Sequence, residues 1–254
     1  MAREKTIPSP GPSTPPAWVR TVNRISKQLS QDLFGGPRLV KMAFMVNLHK
    51  FLSAFVVALL MLLYHNYSPA AWAYLALHGT YGFCWVMKHS AFRDARWETK
   101  VTTGGATMIF LILATYWIAP FLLISRSPGL GSGEPSYWFI SICIAIYAMG
   151  LAIMIASDAQ KHFTLKVRKG LIKEGMFQRV RHPNYLGEMM IYGSFALLAR
   201  HWIPWLVLAF WWTAVFLPNM LTIESSLSRY PEWQAYRAAT GMLLPRILKR
   251  TPKS

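Results

Sequence analysis

The chain has 254 residues, of which 54% are hydrophobic and only 15% are charged, and its formal net charge is +17. Soluble domains carry about 25% charged residues, so this composition excludes an ordinary soluble domain. The basic residues lie between long apolar blocks, as in membrane proteins, and this placement excludes nucleic acid as the reason for the charge. The two cysteines, Cys84 and Cys143, fall inside apolar blocks and predict neither a disulfide nor a metal site.

The first segment of the chain is rich in proline. Five prolines lie between residues 8 and 16, and proline interrupts helical hydrogen bonding. Met1–Pro16 is therefore predicted to be a disordered cytosolic tail. The next segment, Trp18–Phe34, mixes apolar and basic residues and is predicted to lie along the membrane surface.

Six apolar blocks follow this surface segment. A transmembrane helix needs about 20 mostly apolar residues to cross roughly 30 Å of hydrocarbon. Five blocks reach or approach this length: Met42–Tyr64, Pro69–Met87, Gly104–Ile124, Ser136–Ala156 and His201–Ile223. The sixth block, Asn184–Ala199, is short and opens with polar residues, which indicates a helix that starts at a polar site and is partly covered by protein. We therefore predict an all-α polytopic membrane protein of about six transmembrane helices.

The loops between the blocks predict the orientation. Lysine and arginine together number 7 before Met42, 4 in residues 88–103, 7 in residues 158–183 and 6 after Glu224. The alternate loops carry no basic residue, Arg126 alone and Arg200 alone. Because cytosolic loops carry the excess of basic residues, both termini are predicted to be cytosolic.

Most of the polar residues near the predicted cytosolic face lie in the last third of the chain. Pro183 suits the first turn of a helix, and His182 and Asn184 flank it. A helix N-terminus with Arg181 and Lys161 nearby is an anion site. Such a site fits the phosphates of a dinucleotide or the carboxylate of a sulfonium cofactor.

Further residues in this region have the chemistry of a cofactor pocket. Tyr185 and Tyr236 offer flat rings with a polar tip, which suit stacking on an adenine or a nicotinamide. Glu188 lies one turn beyond Asn184 on the same helical face, and a carboxylate inside a membrane helix is costly and usually functional. Taken one at a time, basic residues and tyrosines at a helix end are also ordinary orientation signals and interface anchors. Asn184, Glu188 and Glu224 together, with Asp158 opposite, favour the functional interpretation.

The segment Arg181–Glu188 reads RHPNYLGE; it follows a Gly-Met-Phe turn and precedes Glu224 and a tyrosine-rich tail. This combination resembles two related groups of membrane enzymes. One group comprises sterol and steroid reductases, such as steroid 5-alpha-reductase and delta-14 sterol reductase. The other comprises isoprenylcysteine carboxyl methyltransferase and the phospholipid methyltransferases. The resemblance covers about residues 150–248 and, more loosely, residues 77–97.

Details of the sequence favour the reductases within this superfamily. The string Ser-Asp-Ala-Gln-Lys at residues 157–161, together with Asn184 and Gly187-Glu188, is similar to the reductase pattern. The methyltransferases have paired glutamates at the exit of the last span, whereas here Glu224 is followed by Ser225. The resemblance implies an NADPH site; with the residues singled out above, the predicted cofactor-binding set is Asp158, Lys161, Phe177, Arg181, His182, Asn184, Tyr185, Glu188, Glu224 and Tyr236.

The catalytic residues are predicted from the second apolar block. Steroid 5-alpha-reductases pair a glutamate with a tyrosine in their N-terminal helices to polarise the enone, and this block has no glutamate but offers His78, Tyr81 and Lys88. Tyr81 is the first candidate for donating a hydrogen bond to a substrate oxygen, and His78, three residues away on the same helical face, is the second. The alternative for Tyr81 is packing between helices.

We therefore predict an NADPH-dependent reductase that acts on a C=C bond of a lipophilic substrate, such as a sterol, steroid or polyprenoid enone, entering from the bilayer. The alternative is an S-adenosylmethionine-dependent methyltransferase that uses the same pocket, and a third possibility is a scaffold without activity. The predicted regions are a cytosolic N-terminal tail (1–41), transmembrane helices on the substrate side (42–125) and a cofactor-binding region (126–254). Membrane lipids are the expected partners, with no nucleic acid or metal. In a eukaryote the resemblance implies the endoplasmic reticulum.

Overall fold

The computed structural model of the protein describes residues 11–131 and 133–246. In these ranges the chain is mostly helical, as predicted. The helices are α1 (Ala17–Gln31), α2 (Met42–Tyr64), α3 (Pro69–Ala91), α4 (Thr103–Ala114), α5 (Ile118–Ile124), α6 (Tyr137–Val167), α7 (Pro183–Ala199), α8 (Trp202–Trp211), α9 (Leu217–Leu227) and α10 (Trp233–Ala239). The first ten residues of the predicted disordered tail, Met1–Pro16, lie outside the described residues.

Four helical segments are long and apolar enough to cross a membrane: Met42–Tyr64, Thr103–Ile124, Tyr137–Val167 and Trp202–Leu227. Helices also form at the two other predicted spans. Of these, α3 has 23 residues but carries polar side chains along its buried face, and α7 has only 17 residues. The protein therefore has the character of an integral membrane protein, while the count of six spans and the orientation stay predictions.

Two of the four long segments contain local irregularities with a sequence cause. A 3₁₀ turn at Thr115–Trp117 separates α4 from α5, and Pro120 in α5 disfavours regular α-helix back to Tyr116, because its ring crowds the carbonyl four residues earlier. A π-helical turn at Trp212–Phe216 joins α8 to α9, where Pro218 has the same effect on the preceding turn. Both irregular turns contribute aromatic side chains to the interior.

Helix α6 is longer than the predicted block Ser136–Ala156. It continues for eleven residues beyond Ala156, to Val167. The apolar pattern ends where the first charged residue appears, but the helix itself does not. Asp158 and Lys161 therefore lie on a helix, in a fixed relation to the preceding apolar turns, rather than on a loop.

A small antiparallel sheet was not part of the all-α prediction. Strand β1 (Arg38–Lys41) pairs with strand β2 (Lys100–Thr102), with Arg38 opposite Thr102 and Lys41 opposite Lys100. Strands of three and four residues are too short to show an alternating apolar pattern, so the sequence gives no signal for them. The sheet joins the chain just before α2 to the chain just before α4.

Helices α6 and α7 contact each other through their backbones. A Cβ added to Gly187 would lie 2.5 Å from the carbonyl oxygen of Gly150, and a Cβ added to Gly150 would lie 2.7 Å from the carbonyl oxygen of Gly187. Side chains at these two positions would therefore force the helices apart. This contact brings Asn184 and Glu188 of α7 close to the C-terminal half of α6.

Helix α1 forms at the predicted surface segment Trp18–Phe34 and packs on α4 and α9. The Asn23 amide donates a hydrogen bond to Thr222 Oγ1 at 2.8 Å. The outward face of α1 exposes Trp18, Ile25 and Leu29. An apolar outward face beside basic residues is typical of a helix that lies at a membrane surface.

Candidate functional site

A cavity of about 870 Å³ opens between α1, α2, the end of α3, α4, α6, α7 and α9. Cofactor and ligand sites of proteins typically have volumes of about 300–1,000 Å³. The first residue in its walls is Asn23 and the last is Asn219. All three predicted regions of the chain (1–41, 42–125 and 126–254) therefore contribute to the cavity.

Half of the predicted cofactor-binding residues line this cavity. They are Asp158 and Lys161 on α6, and Asn184, Tyr185 and Glu188 on α7. The backbone contact between α6 and α7 explains why two groups separated by more than twenty residues share one wall. The structure thus brings the Ser-Asp-Ala-Gln-Lys string and the RHPNYLGE string together.

The exposed end of the cavity is basic, and we call it the outer end. Its cationic residues come from α1, the loop after α3, and α6: Lys27, Arg93, Arg96, Lys161 and Lys166. An acidic residue, Asp94, pairs with Arg96 at 3.0 Å. The excess of positive charge gives this end the electrostatics of an anion site.

The buried end of the cavity, the inner end, contains a lysine from the middle of α2. Lys50 is 2% exposed, and its ammonium group donates a hydrogen bond to the hydroxyl of Tyr192. Four aromatic rings surround the ammonium group, with centroids 4.4–5.5 Å from Nζ: Tyr81, Trp85, Tyr116 and Tyr192. Faces of aromatic rings attract a cation, so these rings partly offset the cost of burying the ammonium group.

Besides Asp94, two carboxylates line the cavity. Asp158 accepts a hydrogen bond from Lys88, which lies at 4.4 Å from the ring centroid of Trp85. Glu188 lines the cavity on the α7 side, and no hydrogen bond or ion pair joins it to another side chain in the described part of the chain. Away from the exposed end, Glu188 and Lys50 are therefore two charged groups of the cavity with unused hydrogen-bonding capacity.

The two predicted catalytic residues lie behind the cavity wall. Tyr81 is fully buried, and its hydroxyl is 3.1 Å from the hydroxyl of Tyr192, which does line the cavity. His78 is also fully buried and stacks on Phe195 with ring centroids 4.7 Å apart. Tyr81 can act on a bound molecule only through Tyr192, and His78 contacts the aromatic interior.

Three of the remaining predicted cofactor residues, Arg181, His182 and Glu224, form a separate ion-pair network, which we call the Arg181 network. Arg181 Nε donates to Glu224 Oε1 at 2.7 Å, and Arg181 Nη1 donates to the carbonyl oxygen of Thr240 at 2.6 Å. Glu224 is also 3.5 Å from His182 Nε2 and 3.8 Å from Arg237 Nε. Arg181 and Glu224 are paired with each other, His182 Nε2 makes no hydrogen bond among the described residues, and none of the three lines the cavity.

The chain near its C-terminal end completes this network. The backbone N–H groups of Arg181 and His182 donate to the carbonyl oxygens of Gly241 and Met242 at 2.9 and 3.1 Å. Burial lowers the pKa of His182 below its ordinary value, against the opposing effect of Glu224. The amide groups just before α7, predicted as part of an anion site, are thus bonded to protein.

Phe177 and Tyr236, the last two predicted residues, contact each other. The Tyr236 hydroxyl donates to the carbonyl oxygen of Phe177 at 2.7 Å. Burial raises the pKa of Tyr236 to about 12. The contact joins the Gly-Met-Phe turn to α10, outside the cavity lining.

Sequence reasoning missed Lys50. The residue lies in the block Met42–Tyr64, which was interpreted as an ordinary span, although a lysine eight residues into such a block is a signal in itself. Ala43, Val46, Asn47 and Lys50 line the cavity, and their helical spacing shows that one face of α2 forms the wall.

The fold and site define a mostly helical membrane protein with a polar cavity next to its transmembrane helices. A family model described as "Protein of unknown function (DUF1295)" matches residues 18–240. The chain belongs to this family, which is steroid 5-alpha-reductase-like.

Two curated relatives are uncharacterized proteins of Schizosaccharomyces pombe. One is 39% identical over 87 residues, which cover 33% of this chain and 29% of the relative. The other is 30% identical over 94 residues, which cover 34% of this chain and 27% of the relative. The chain thus spans less than a third of the length of these relatives. No solved structure matches the chain.

Proposed function

We propose that the protein is an integral membrane reductase that uses NADPH to reduce a C=C bond of a lipophilic substrate. The observation that carries the proposal is the cavity, because five predicted cofactor-binding residues line it. Its outer end is basic, and its inner end contains Lys50 and Glu188. The cavity is large enough for a cofactor and has charged groups at both ends.

The chemistry of the walls fits NADPH in an extended orientation. The phosphates suit the outer end, where Arg93 and Lys161 offer charge-assisted hydrogen bonds. The ring of Tyr185 offers a face for stacking. Asn184 and Glu188 offer hydrogen-bond acceptors for the carboxamide of the nicotinamide, and the free carboxylate of Glu188 is thereby satisfied. When bound, the cofactor supplies a hydride.

The rest of the cavity suits a lipophilic substrate. Apolar side chains of α2 and α4 line it, including Val46, Ile109, Ile112 and Leu113. These helices belong to segments that are apolar enough to span a membrane. We propose six spans with both termini in the cytosol, so that a sterol-, steroid- or polyprenoid-like substrate enters from the bilayer. In a eukaryotic cell this membrane would be that of the endoplasmic reticulum.

The methyltransferase alternative depends on other residues. It uses Arg181, His182 and Glu224 around S-adenosylmethionine, and these three side chains bond to one another and to residues 237–242. None of the three lines the cavity, so a cofactor bound in the cavity would not contact them. The reductase is therefore the better-supported function.

Ligand-induced thermal shifts of the detergent-purified protein test the proposal. NADPH, NADH and S-adenosylmethionine are compared, since a ligand at 100 times its dissociation constant stabilises a protein by about 2.7 kcal/mol. We expect a shift with NADPH that Asn184→Ala abolishes and that Gln178→Ala, an exposed change outside the cavity, leaves intact. A thermal shift with S-adenosylmethionine alone would contradict the proposed reductase function. The absence of a shift with all three ligands would support a scaffold without activity.

A further inference from the structure

Lys50 has hydrogen-bonding capacity that the protein does not use. An ammonium group has three donors, and in the described part of the chain Lys50 has one hydrogen-bond partner, the hydroxyl of Tyr192. The four surrounding rings stabilise its charge but accept no conventional hydrogen bond. Because Lys50 lines the cavity, its free donors have access to a bound molecule.

The position of Lys50 relative to Glu188 excludes a simple structural pair. Both residues line the inner end, but no ion pair within 4.0 Å joins them among those of the described residues. A buried pair that served only stability would be expected to close, since leaving either charge alone is costly. The open arrangement leaves room for ligand groups between the two charges.

We propose that Lys50 is the catalytic residue that binds and protonates the oxygen of a conjugated carbonyl group in the substrate. This inference rests on the proposed function and deepens it, because it assigns the side chain that activates the substrate; the conjugated carbonyl group itself is what the family resemblance implies. Glu188 then contacts the nicotinamide side of the cavity, and Lys50 contacts the substrate side.

The proton and electron balance of this step is complete. Hydride addition to the β-carbon forms a C–H bond, breaks the C=C π bond and moves an electron pair onto the carbonyl oxygen. A proton moves from Lys50 Nζ to that oxygen, which gives an enol and a neutral amine. The enol becomes the saturated carbonyl compound as its O–H proton returns to solvent and the α-carbon takes one from water. Lys50 regains its proton from solvent through the cavity, and the reduced nicotinamide is the reductant.

The aromatic rings and Tyr192 position the ammonium group for this role. Tyr192 accepts a hydrogen bond from Lys50, and its hydroxyl lies 3.1 Å from that of Tyr81. In this scheme Lys50, and not Tyr81, donates a hydrogen bond to the substrate oxygen. Tyr81 contacts Tyr192, and Tyr192 orients Lys50. Tyr81 is a positioning residue in this scheme.

Two probes that differ only in the oxygen test the proposal: cholest-4-en-3-one and cholest-4-ene. Their dissociation constants are measured on the detergent-purified full chain without cofactor, together with the absorbance spectrum of the bound ketone. A charged hydrogen bond to the ketone predicts at least about tenfold tighter binding than for the alkene. It also predicts a red shift of the ketone absorbance relative to detergent micelles alone.

The variants compared are Lys50→Met, Lys50→Arg and, as a matched control outside the cavity, Lys41→Met. Lys50→Met is expected to remove the preference for the ketone and the red shift while the thermal shift with NADPH remains. Lys50→Arg is expected to retain part of both effects, and Lys41→Met all of them. If Lys50→Met does not fold, the proposal is tested by two other results: the red shift in the wild-type protein and the partial retention of both effects in Lys50→Arg.

Three results would overturn the role of Lys50: a ketone preference that persists in Lys50→Met, an unshifted spectrum in the wild-type protein, or no discrimination between the two probes. Each of these is measured without cofactor. Failure of the proposed function has a different signature, namely the absence of a thermal shift with NADPH in the wild-type protein. The two failures are therefore distinguishable.

Discussion

Two clusters of charged residues border helix α7: the Arg181 network and the charged residues of the cavity. The two clusters differ in how many of their hydrogen-bonding groups have protein partners. In the Arg181 network every charged group has protein partners, with Arg181 bonded to both Glu224 and Thr240. In the cavity, Lys50 has one partner and Glu188 borders open space. Buried charges are costly in both places. Satisfied charges hold the chain together, whereas unsatisfied ones indicate where a ligand belongs.

This comparison shows how a single motif can serve two purposes. The string RHPNYLGE begins with Arg181 and His182, which bond the C-terminal segment, and ends with Gly187 and Glu188, which contact α6 and the cavity. The sequence prediction placed Arg181, His182 and Glu188 in one cofactor site. The contacts divide them into a structural half and a ligand-facing half.

The largest expected effect comes from breaking the Arg181 network. Glu224→Ala leaves the buried Arg181 without its carboxylate, and the loss of one partner of a buried ion pair costs about 3–5 kcal/mol. We expect a large drop in the unfolding temperature in detergent, whereas Glu232→Ala, on the exposed start of α10, should have little effect. If Glu224→Ala instead keeps its stability and loses only NADPH binding, the division between the two clusters is wrong.

The contact between α6 and α7 gives the next largest effect. Gly187→Ala inserts a methyl group 2.5 Å from the carbonyl oxygen of Gly150, and such overpacking costs about 1–3 kcal/mol. Gly193→Ala on the same helix meets nothing within 4 Å and should be neutral or slightly stabilising. Thermal unfolding of the two variants measures the difference, and equal stabilities would contradict the close helix contact.

The outer end of the cavity predicts a smaller effect on ligand affinity alone. Lys161→Met removes a partly exposed charge, and we expect the dissociation constant of NADPH to rise about fivefold, or roughly 1 kcal/mol. The difference should shrink at high salt, because exposed charges are screened. Lys100→Met, in β2 outside the cavity, is the control. Titrations at two salt concentrations measure this effect, and an equal loss in both variants would remove the assignment of the outer end to phosphates.

The smallest expected effect is a pH dependence of stability. Burial holds the pKa of His182 in the folded protein below its ordinary value. At a pH between the folded-state pKa and the ordinary pKa of the unfolded chain, the unfolded chain therefore binds more protons than the folded protein. The free energy of unfolding should therefore fall as the pH decreases through about 6.5, by no more than about 1.4 kcal/mol per unit from this group. Unfolding of wild type and His182→Gln across this range should give a shallower slope for the variant. Equal slopes would show that His182 does not contribute.

The elements that follow from local pattern were predicted well. The bounds of α2 match the apolar block Met42–Tyr64 because the block is flanked by Lys41 and by His65, which takes a left-handed conformation and ends the helix. Pro183 opens α7 as predicted. Asn184 and Glu188 line a cavity because polar residues inside an apolar helix need a polar surface, which is a local argument.

The missed features depend on residues that are distant in sequence. Arg181 meets Glu224 across 43 positions, and nothing near either residue reveals the partner. The same is true of Gly150 and Gly187, whose contact positions one wall of the cavity. Lys50 was overlooked for a different reason, since the apolar average of its block concealed one charge. The roles in catalysis and cofactor binding stay predictions until the ligand measurements are made.

The hydrogen bond from Asn23 to Thr222 has a consequence for the timing of assembly. The two residues are 199 positions apart, and translation at about 5–20 residues per second separates their synthesis by roughly 10–40 s. During this interval α1 has emerged without α9, its neighbour on one side of the cavity. Its exposed Trp18, Ile25 and Leu29 give it a temporary place at the lipid surface. The part of the cavity rim between α1 and α9 therefore forms only after α9 is made, whereas α4, on which α1 also packs, is made much earlier.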